Sequence, residues 1–346
     1  MYNVGVIGAG SFGTAIANLL AENQKVLLQI RNKETFDKIV ATRKVKVHTL
    51  HENVIPINDL EEFCHKCNVI YPMVDSNNFR SMCQSMRQFL KPYHIIIHGT
   101  KGLSVKDTSI LDTNVDTISI SRESVQTMSE VLLDETIALR IGCLSGPNLS
   151  TELAEKLPAA AVIASRFNEV INVGRTTIRS DRFKIYGSHD VIGVEIAGVL
   201  KNILAIAAGI SSGLNLGENS KALLITRGLG EIIKLGTAFG SDSKAFMGVA
   251  GIGDLIATCS SSKSRNFTLG FNLAQGKKTQ QILDEMQDTV EGIFTTKIAQ
   301  GLSNHYKLET PIISTVYNVL FKDQNIKEAL EYLMSHDFGA EEDYLY

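Results

Sequence analysis

The sequence predicts two architectures in tandem: an α/β domain on a doubly wound, mostly parallel sheet, then an all-α domain. Three observations carry this. A G-x-G-x-x-G turn at 8–13 follows a short apolar run and opens a helical pattern. Strand-like and helix-like segments then alternate as far as Tyr186. From Gly187 the strand signals stop, and apolar residues recur only at helical spacing. A chain of 346 residues has room for two cores. The expected domains are therefore 1–186, dinucleotide-binding and of Rossmann type, and 187–346, helical.

Residues 3–7 read as the first strand, 14–20 as the helix after the glycine turn, and 25–30 (KVLLQI) as the second strand. Further strands are expected at 68–74, 93–98, 139–144, 160–164 and 183–186, with helical segments between several of them. The stretch 107–119 has neither periodicity and reads as a surface loop before a helix at 123–133. In the second half, helices are expected at 194–210, 221–239, 268–275, 279–286, 295–304 and 312–321. The acidic tail, GAEEDYLY, reads as a loose end.

Composition excludes several classes of partner. With 44% hydrophobic and 21% charged residues and a net charge of −3, no strongly basic face is available for nucleic acid or anionic membrane. The chain starts MYNVGVIGAG, a strand with no basic n-region, so no secretory signal is expected. The apolar window 191–210 has the length of a membrane span, but Glu195, Lys201 and Asn202 lie inside it. It reads as a buried core helix, not as a stable membrane insertion. Five cysteines, an odd count, fit free thiols in a reducing cytoplasm. Only Cys64 and Cys67 are close in sequence, and no further ligands follow at zinc spacing, so no metal is expected.

Each glycine of the turn has a physical task. Gly8 permits the tight bend, Gly10 lets backbone approach a pyrophosphate, and Gly13 lets helix and strand pack closely. The anion then meets free N–H groups at the helix start. The end of the second strand decides between NAD and NADP. An acidic residue there would bind a ribose hydroxyl, whereas this chain has Arg31, which suits a 2′-phosphate. The competing reading is a solvated basic turn. NADP is expected to be accepted, alongside NAD.

The helical half contains one costly residue. Lys201 interrupts the apolar run GVEIAGVLKNILAIAAG, and an amine is expensive to bury unless it is paired or moves a proton. Asn202 adds amide donors and an acceptor beside it. Asp254 lies in a glycine-punctuated apolar stretch and is an obvious partner for Lys201, though a structural ion pair or a helix cap would also explain it. Ser264, Arg265 and Asn266 supply a guanidinium and neutral donors suited to a phosphate. Lys101 and the SGPN turn, with Gly146 and Asn148, follow strands and so fall at the carboxyl edge of the sheet, where ligands bind. Glu291 is a further acid next to a glycine.

These blocks together resemble one family, the NAD(P)-dependent glycerol-3-phosphate dehydrogenases, bacterial branch. The matching runs are GAGSFGTAIA at 8–17, TKGL at 100–103, SGP at 145–147 and GVEIAGVLKNILAIAAGI at 193–210. They continue with KALLITRGLGEI at 221–232, GVAGIGDLIATCSSSKSRN at 248–266 and VEGIFTTK at 290–297. The resemblance implies interconversion of dihydroxyacetone phosphate and sn-glycerol 3-phosphate by hydride transfer with NAD(P)H, in support of phospholipid synthesis. It also implies a C-terminal domain like that of 6-phosphogluconate dehydrogenase, a homodimer and a cytoplasmic location.

By matched position, Lys201 resembles the proton donor and Asp254 its partner carboxylate. Lys101, Gly146, Asn148, Asn202, Thr258, Ser264, Arg265 and Asn266 resemble the contacts to a small phosphorylated triose. Gly8, Gly10, Ser11, Phe12, Gly13, Arg31, Lys101, Ser150, Arg265 and Glu291 resemble the cofactor contacts. The chain departs from the bacterial pattern at 148–152, where Asn148 is similar to the eukaryotic branch, and at the strand end YPMVDSNNFR. The segment 107–121 is longer than in the family. Rival readings are another hydroxyacid reductase on the same two-domain plan and a non-catalytic nucleotide sensor.

Overall fold

The computed structural model describes residues 3–335 apart from 47, 108, 110–117, 287 and 288. The acidic tail and most of the expected loop at 107–119 therefore lie outside the described residues. The strands are β1 Val4–Ile7, β2 Val26–Gln29, β3 Lys44–Val45, β4 His48–Thr49, β5 Val54–Ile57 and β6 Val69–Pro72. They continue with β7 Ile95–His98, β8 Leu103–Val105, β9 Val125–Thr127, β10 Arg140–Ser145, β11 Ala159–Ala164 and β12 Phe183–Ser188. Eight of them form one sheet in the order β12-β11-β10-β7-β6-β1-β2-β5. Every neighbouring pair is parallel except β10 with β11.

Both faces of this sheet are covered. Ile96 of β7 joins a core with Phe63, Phe79, Met86 and Val131 on one side. Ile97, the next residue, joins Ile16, Leu20 and Tyr71 on the other. Successive side chains point to opposite faces, which is why these strands read as continuous apolar runs. Each large side chain buried in this way contributes about 1.5–3 kcal/mol.

Strand β5 is not among the expected strands; its VIPI run contains Pro56, a residue that argues against a strand. It lies at the edge of the sheet, where a missing N–H is tolerated. The helix expected at 123–133 starts later, at Met128, and runs to Glu135. Thr127 and Glu130 form a reciprocal capping box that fixes this start.

The chain divides into two compact units, Met1–Ser104 with Thr127–Glu195, and Val105–Gln126 with Ile196–Tyr346. The sequence texture suggested a single cut at 186/187. The observed division instead sends 105–126 to the helical unit and falls a second time inside the helix Val191–Gly213. Hydrogen bonding explains the first difference. Ile118 and Ile120 are buried, Ile120 N–H donates to Gly301 O at 2.9 Å, and Asn304 Nδ2 donates to Ile118 O at 2.7 Å. Arg122 stacks over the Phe239 ring at 3.9 Å and donates to the Phe239 carbonyl at 3.0 Å.

The helical unit contains, besides the end of Val191–Gly213, the helices Gly217–Ala238, Arg265–Ala274, Thr279–Met286, Glu291–Tyr306, Pro311–Phe321 and Ile326–Ser335. Glycines set its closest packing. A Cβ on Gly270 would collide with the carbonyl oxygen of Ile206, and one on Gly209 with that of Phe267. The helices Val191–Gly213 and Arg265–Ala274 can therefore meet backbone to backbone.

Candidate active site

In the first unit the chain leaves β1 for β2 and β5 on one side, then returns to β6 and β7 on the other. The strand order reverses at β1, and ligands of open α/β sheets bind beyond the strand ends at such a point. The turn begins at Gly8, whose φ of +105° favours glycine. A Cβ on Gly13 would collide with the Gly8 carbonyl oxygen, whereas one on Gly10 would meet nothing within 4 Å. No side chain caps the helix Ser11–Ala21, so its first-turn N–H groups and the positive end of its dipole are available to an anion. Ser11 and Phe12 open that helix, both partly buried. The open space at Gly10 and this uncapped donor set fit the pyrophosphate of a nicotinamide dinucleotide.

Just past β2, Arg31 is exposed, and no described residue pairs with its guanidinium. Its neighbours have structural tasks. Asn32 caps the helix Lys33–Thr42 by accepting from Thr35 N–H at 2.8 Å, and Lys33 pairs with Asp37 at 2.8 Å. At the end of the sheet's central strands, Lys101 Nζ donates to Gly146 O at 3.0 Å. With its amide nitrogen turned inward, Asn148 donates to the carbonyls of Pro147 at 3.1 Å and Ala160 at 3.2 Å. Ser150 opens the short helix Ser150–Ala154.

The helix Val191–Gly213 starts where Asp190 Oδ1 accepts from Gly193 N–H at 2.8 Å. It is a core helix, with 89% of its most apolar window buried. Its buried charges are all partnered. Glu195 Oε1 accepts from Ser129 N–H at 2.9 Å and lies 3.2 Å from His98 Nε2. Lys201 Nζ donates to Asp254 Oδ1 at 2.7 Å and also to the hydroxyl of Thr258. Lys201 and Asp254 are only 6% and 2% exposed, so this pair is shielded from water. Removing one partner of such a pair costs about 3–5 kcal/mol, because it strands a buried charge.

Local backbone aims the carboxylate. Asp254 is the first residue of the helix Asp254–Cys259, where the dipole favours an anion, and Thr258 lies one turn further on the same face. A π-helical turn, Val249–Gly253, precedes it directly. Burial pushes the neighbouring Cys259 thiol up to about 12, so it stays neutral beside the pair.

A second cluster gathers around 264–266 and 289–292. Ser264 caps the helix Arg265–Ala274, its Oγ accepting from Phe267 N–H at 3.3 Å. Arg265 is exposed and its Nη1 donates to Thr289 O at 2.7 Å. Asn266 Oδ1 accepts from Gly292 N–H at 3.0 Å, beside Glu291 at the start of the helix Glu291–Tyr306. Asn202 follows Lys201 along its helix and is 6% exposed.

The second unit thus brings together Lys201, Asp254 and Thr258, and separately links Arg265 and Asn266 to the segment carrying Glu291. The first unit holds Gly8, Gly10, Ser11, Phe12, Gly13 and Arg31, and joins Lys101 to Gly146. The backbone groups at Thr289 and Gly292 are not foreseeable from residue types, since a carbonyl or amide has no residue signature. Among the described residues no three His, Cys, Asp or Glu side chains are grouped as a metal site.

Two family models match the chain. The model for the N-terminus of NAD-dependent glycerol-3-phosphate dehydrogenase matches residues 3–171, and the model for its C-terminus matches 190–331. A Staphylococcus saprophyticus protein named glycerol-3-phosphate dehydrogenase [NAD(P)+] is 35% identical, covering 99% of this chain and all of that one. A Staphylococcus aureus protein of the same name is also 35% identical over 99% of this chain and all of its own. The crystal structure of glycerol-3-phosphate dehydrogenase from Coxiella burnetii superposes with a TM-score of 0.86 at 31% identity, covering 97% of this chain and 99% of that one.

Proposed function

Since the chain belongs to the NAD-dependent glycerol-3-phosphate dehydrogenase family, we propose a role for each residue of its candidate site in that family's reaction. The protein interconverts dihydroxyacetone phosphate and sn-glycerol 3-phosphate with NAD(P)H. When bound, the nicotinamide supplies or removes the hydride at C2. Lys201 gives its proton to O2 as the carbonyl is reduced, and takes it back in the reverse direction. The observation that carries this reading is the 2.7 Å pairing of Lys201 with Asp254 in a buried setting. There a cationic amine stabilises developing oxyanion charge far more than it would in water.

Asp254 and Thr258 orient the Lys201 amine. Arg265, Asn266 and Ser264, with Lys101, Gly146, Asn148 and Asn202, contact the substrate and its phosphate, whose grip orients the carbonyl. The turn at Gly8, Gly10 and Gly13 holds the pyrophosphate, flanked by Ser11 and Phe12, while Ser150, Lys101, Arg265 and Glu291 complete the cofactor contacts. Arg31 receives the 2′-phosphate of NADPH, a role supported by its exposed guanidinium at the end of β2. The first unit is assigned the nucleotide-binding role and the helical unit the catalytic one, the roles that the sequence suggests for 1–186 and 187–346. Homodimer assembly rests on family likeness, and a reducing cytoplasm is supported by five free, buried cysteines. The test is an assay of dihydroxyacetone phosphate-dependent oxidation of NADH and NADPH, run side by side. Oxidation of neither would overturn the assignment.

A further inference from the structure

The backbone that carries Arg31 past the end of β2 is held by Asn58, the residue just past β5. The side-chain amide of Asn58 donates to two successive carbonyl oxygens, Ile30 O at 2.5 Å and Arg31 O at 3.1 Å. We propose that Asn58 is a positioning residue for coenzyme choice: its amide fixes the segment from which the Arg31 guanidinium reaches the 2′-phosphate of NADPH. This inference rests on the assignment of Arg31 to that phosphate.

Asn58 is itself tied down on both sides. Before it, Ile57 O accepts from Ile30 N–H at 2.9 Å and ends the pairing of β2 with β5. After it, Asp59 caps the helix Leu60–Lys66 by accepting from Glu62 N–H at 2.9 Å. An amide on so fixed a base can hold a neighbouring strand end in place. Arg31 is also tied from its other side, because Asn32 caps the helix Lys33–Thr42 through Thr35 N–H at 2.8 Å. Between the two ties its backbone is fixed, and the freedom left is that of its side chain. The bond from Asn58 to Arg31 O lies at the exposed surface, where water would satisfy the same carbonyl. Its yield is therefore geometry more than stability.

That geometry matters to one coenzyme and not to the other. A guanidinium grips a phosphate directionally, through parallel N–H···O bonds in one plane. A long side chain on a loose backbone gives up much freedom to make them. On a fixed backbone it gives up less, and the difference appears as affinity. NADH carries a hydroxyl at the same ribose position and makes no such demand on Arg31. Asn58 therefore acts on the ratio of the two affinities, not on both alike.

The test is a double-mutant cycle on the full chain, read as dissociation constants for NADPH and NADH by fluorescence titration. Asn58→Leu keeps the shape of the side chain and removes the donor. It should weaken NADPH about fivefold, the lower end of what fixing one residue's backbone is worth, and leave NADH close to native. Arg31→Ala should weaken NADPH by more, and adding Asn58→Leu to it should change the ratio no further. Asn58→Ala takes the place of the leucine variant if that one does not fold, and native-like NADH binding verifies the fold of each. Equal weakening of both coenzymes by Asn58→Leu would make the residue merely structural and overturn the proposal. So would full additivity with Arg31→Ala. A ratio moved by Arg31→Ala but not by Asn58→Leu would overturn this inference alone, whereas a ratio that Arg31→Ala leaves unchanged would overturn the assignment of Arg31 and this inference with it.

Discussion

The hydroxyl of Thr258 donates its single proton to the carbonyl oxygen of Asp254 at 2.6 Å, one helical turn back. Thr258 can therefore only accept from Lys201, and the amine must be the donor in that contact. The amine thus has two fixed acceptors, the Asp254 carboxylate and the Thr258 hydroxyl. Thr258→Val removes the acceptor but keeps the shape and the Asp254 pairing. Turnover should fall roughly tenfold, since the net worth of one such hydrogen bond is about 1.5 kcal/mol. The check is kcat for dihydroxyacetone phosphate reduction, with a near-unchanged melting temperature.

Lys201→Met removes the acid itself. General acid catalysis contributes about 10²–10⁴-fold, so kcat should drop by at least that factor while NADH affinity stays close to normal. Stopped-flow turnover and fluorescence titration with NADH measure the two quantities. A variant that keeps near-normal kcat would assign the proton to another group.

The coenzyme prediction concerns Arg31. Replacing it by aspartate swaps a cation for an anion where the 2′-phosphate is proposed to lie. NADPH binding should weaken about ten- to hundredfold relative to NADH. The ratio of the two dissociation constants decides it, and an unchanged ratio would leave Arg31 as a solvated turn residue.

Gly270→Ala tests the close helix crossing. The added methyl would strike the Ile206 carbonyl oxygen, forcing apart the helix that carries Lys201 and the helix that begins at Arg265. Overpacking of this kind costs about 1–3 kcal/mol. The melting temperature should fall, and KM for dihydroxyacetone phosphate should rise more than KM for NADH.

Glu231 should make stability depend on pH. Its carboxylate accepts from Ile312 N–H at 2.7 Å and Ile313 N–H at 3.0 Å, yet burial outweighs these donors and pushes its pKa up from 4.5 to about 8. Between those values the folded chain keeps a proton that the unfolded chain has lost. This contribution is fully present at low pH and is lost as pH rises towards 8, by about 1.4 kcal/mol per pH unit. Denaturant unfolding from pH 5 to 8 should show that decline, and Glu231→Gln should flatten it whatever its absolute stability.

Much of this was legible in the sequence because the signals were local. The glycine turn, the alternating strands and the lysine in an apolar helix each announce themselves within a few residues. What escaped depends on distant partners. Strand β5 carries Pro56 and is acceptable only because it falls at a sheet edge, a fact of strand order. Ile118 and Ile120 pack with the helical unit because they find Asn304 and Gly301 almost two hundred residues later. Ser264 reads as a phosphate donor, but its oxygen also caps a helix, a task shown only by the Phe267 N–H pointing at it. The two candidate roles coexist, since a hydroxyl can accept from the backbone and still donate elsewhere.

The widened turn Val249–Gly253 makes the aim of Asp254 a matter of counting as well as chemistry. An ordinary helix advances about 100° per residue, so one residue more or less rotates everything downstream by more than a quarter-turn. Deleting a single residue from VAGIG would leave every functional side chain in the chain and still swing the carboxylate off Lys201. Such frame errors are invisible to a residue-by-residue inventory. In this protein, spacing ahead of the acid is inherited information of the same rank as the acid itself.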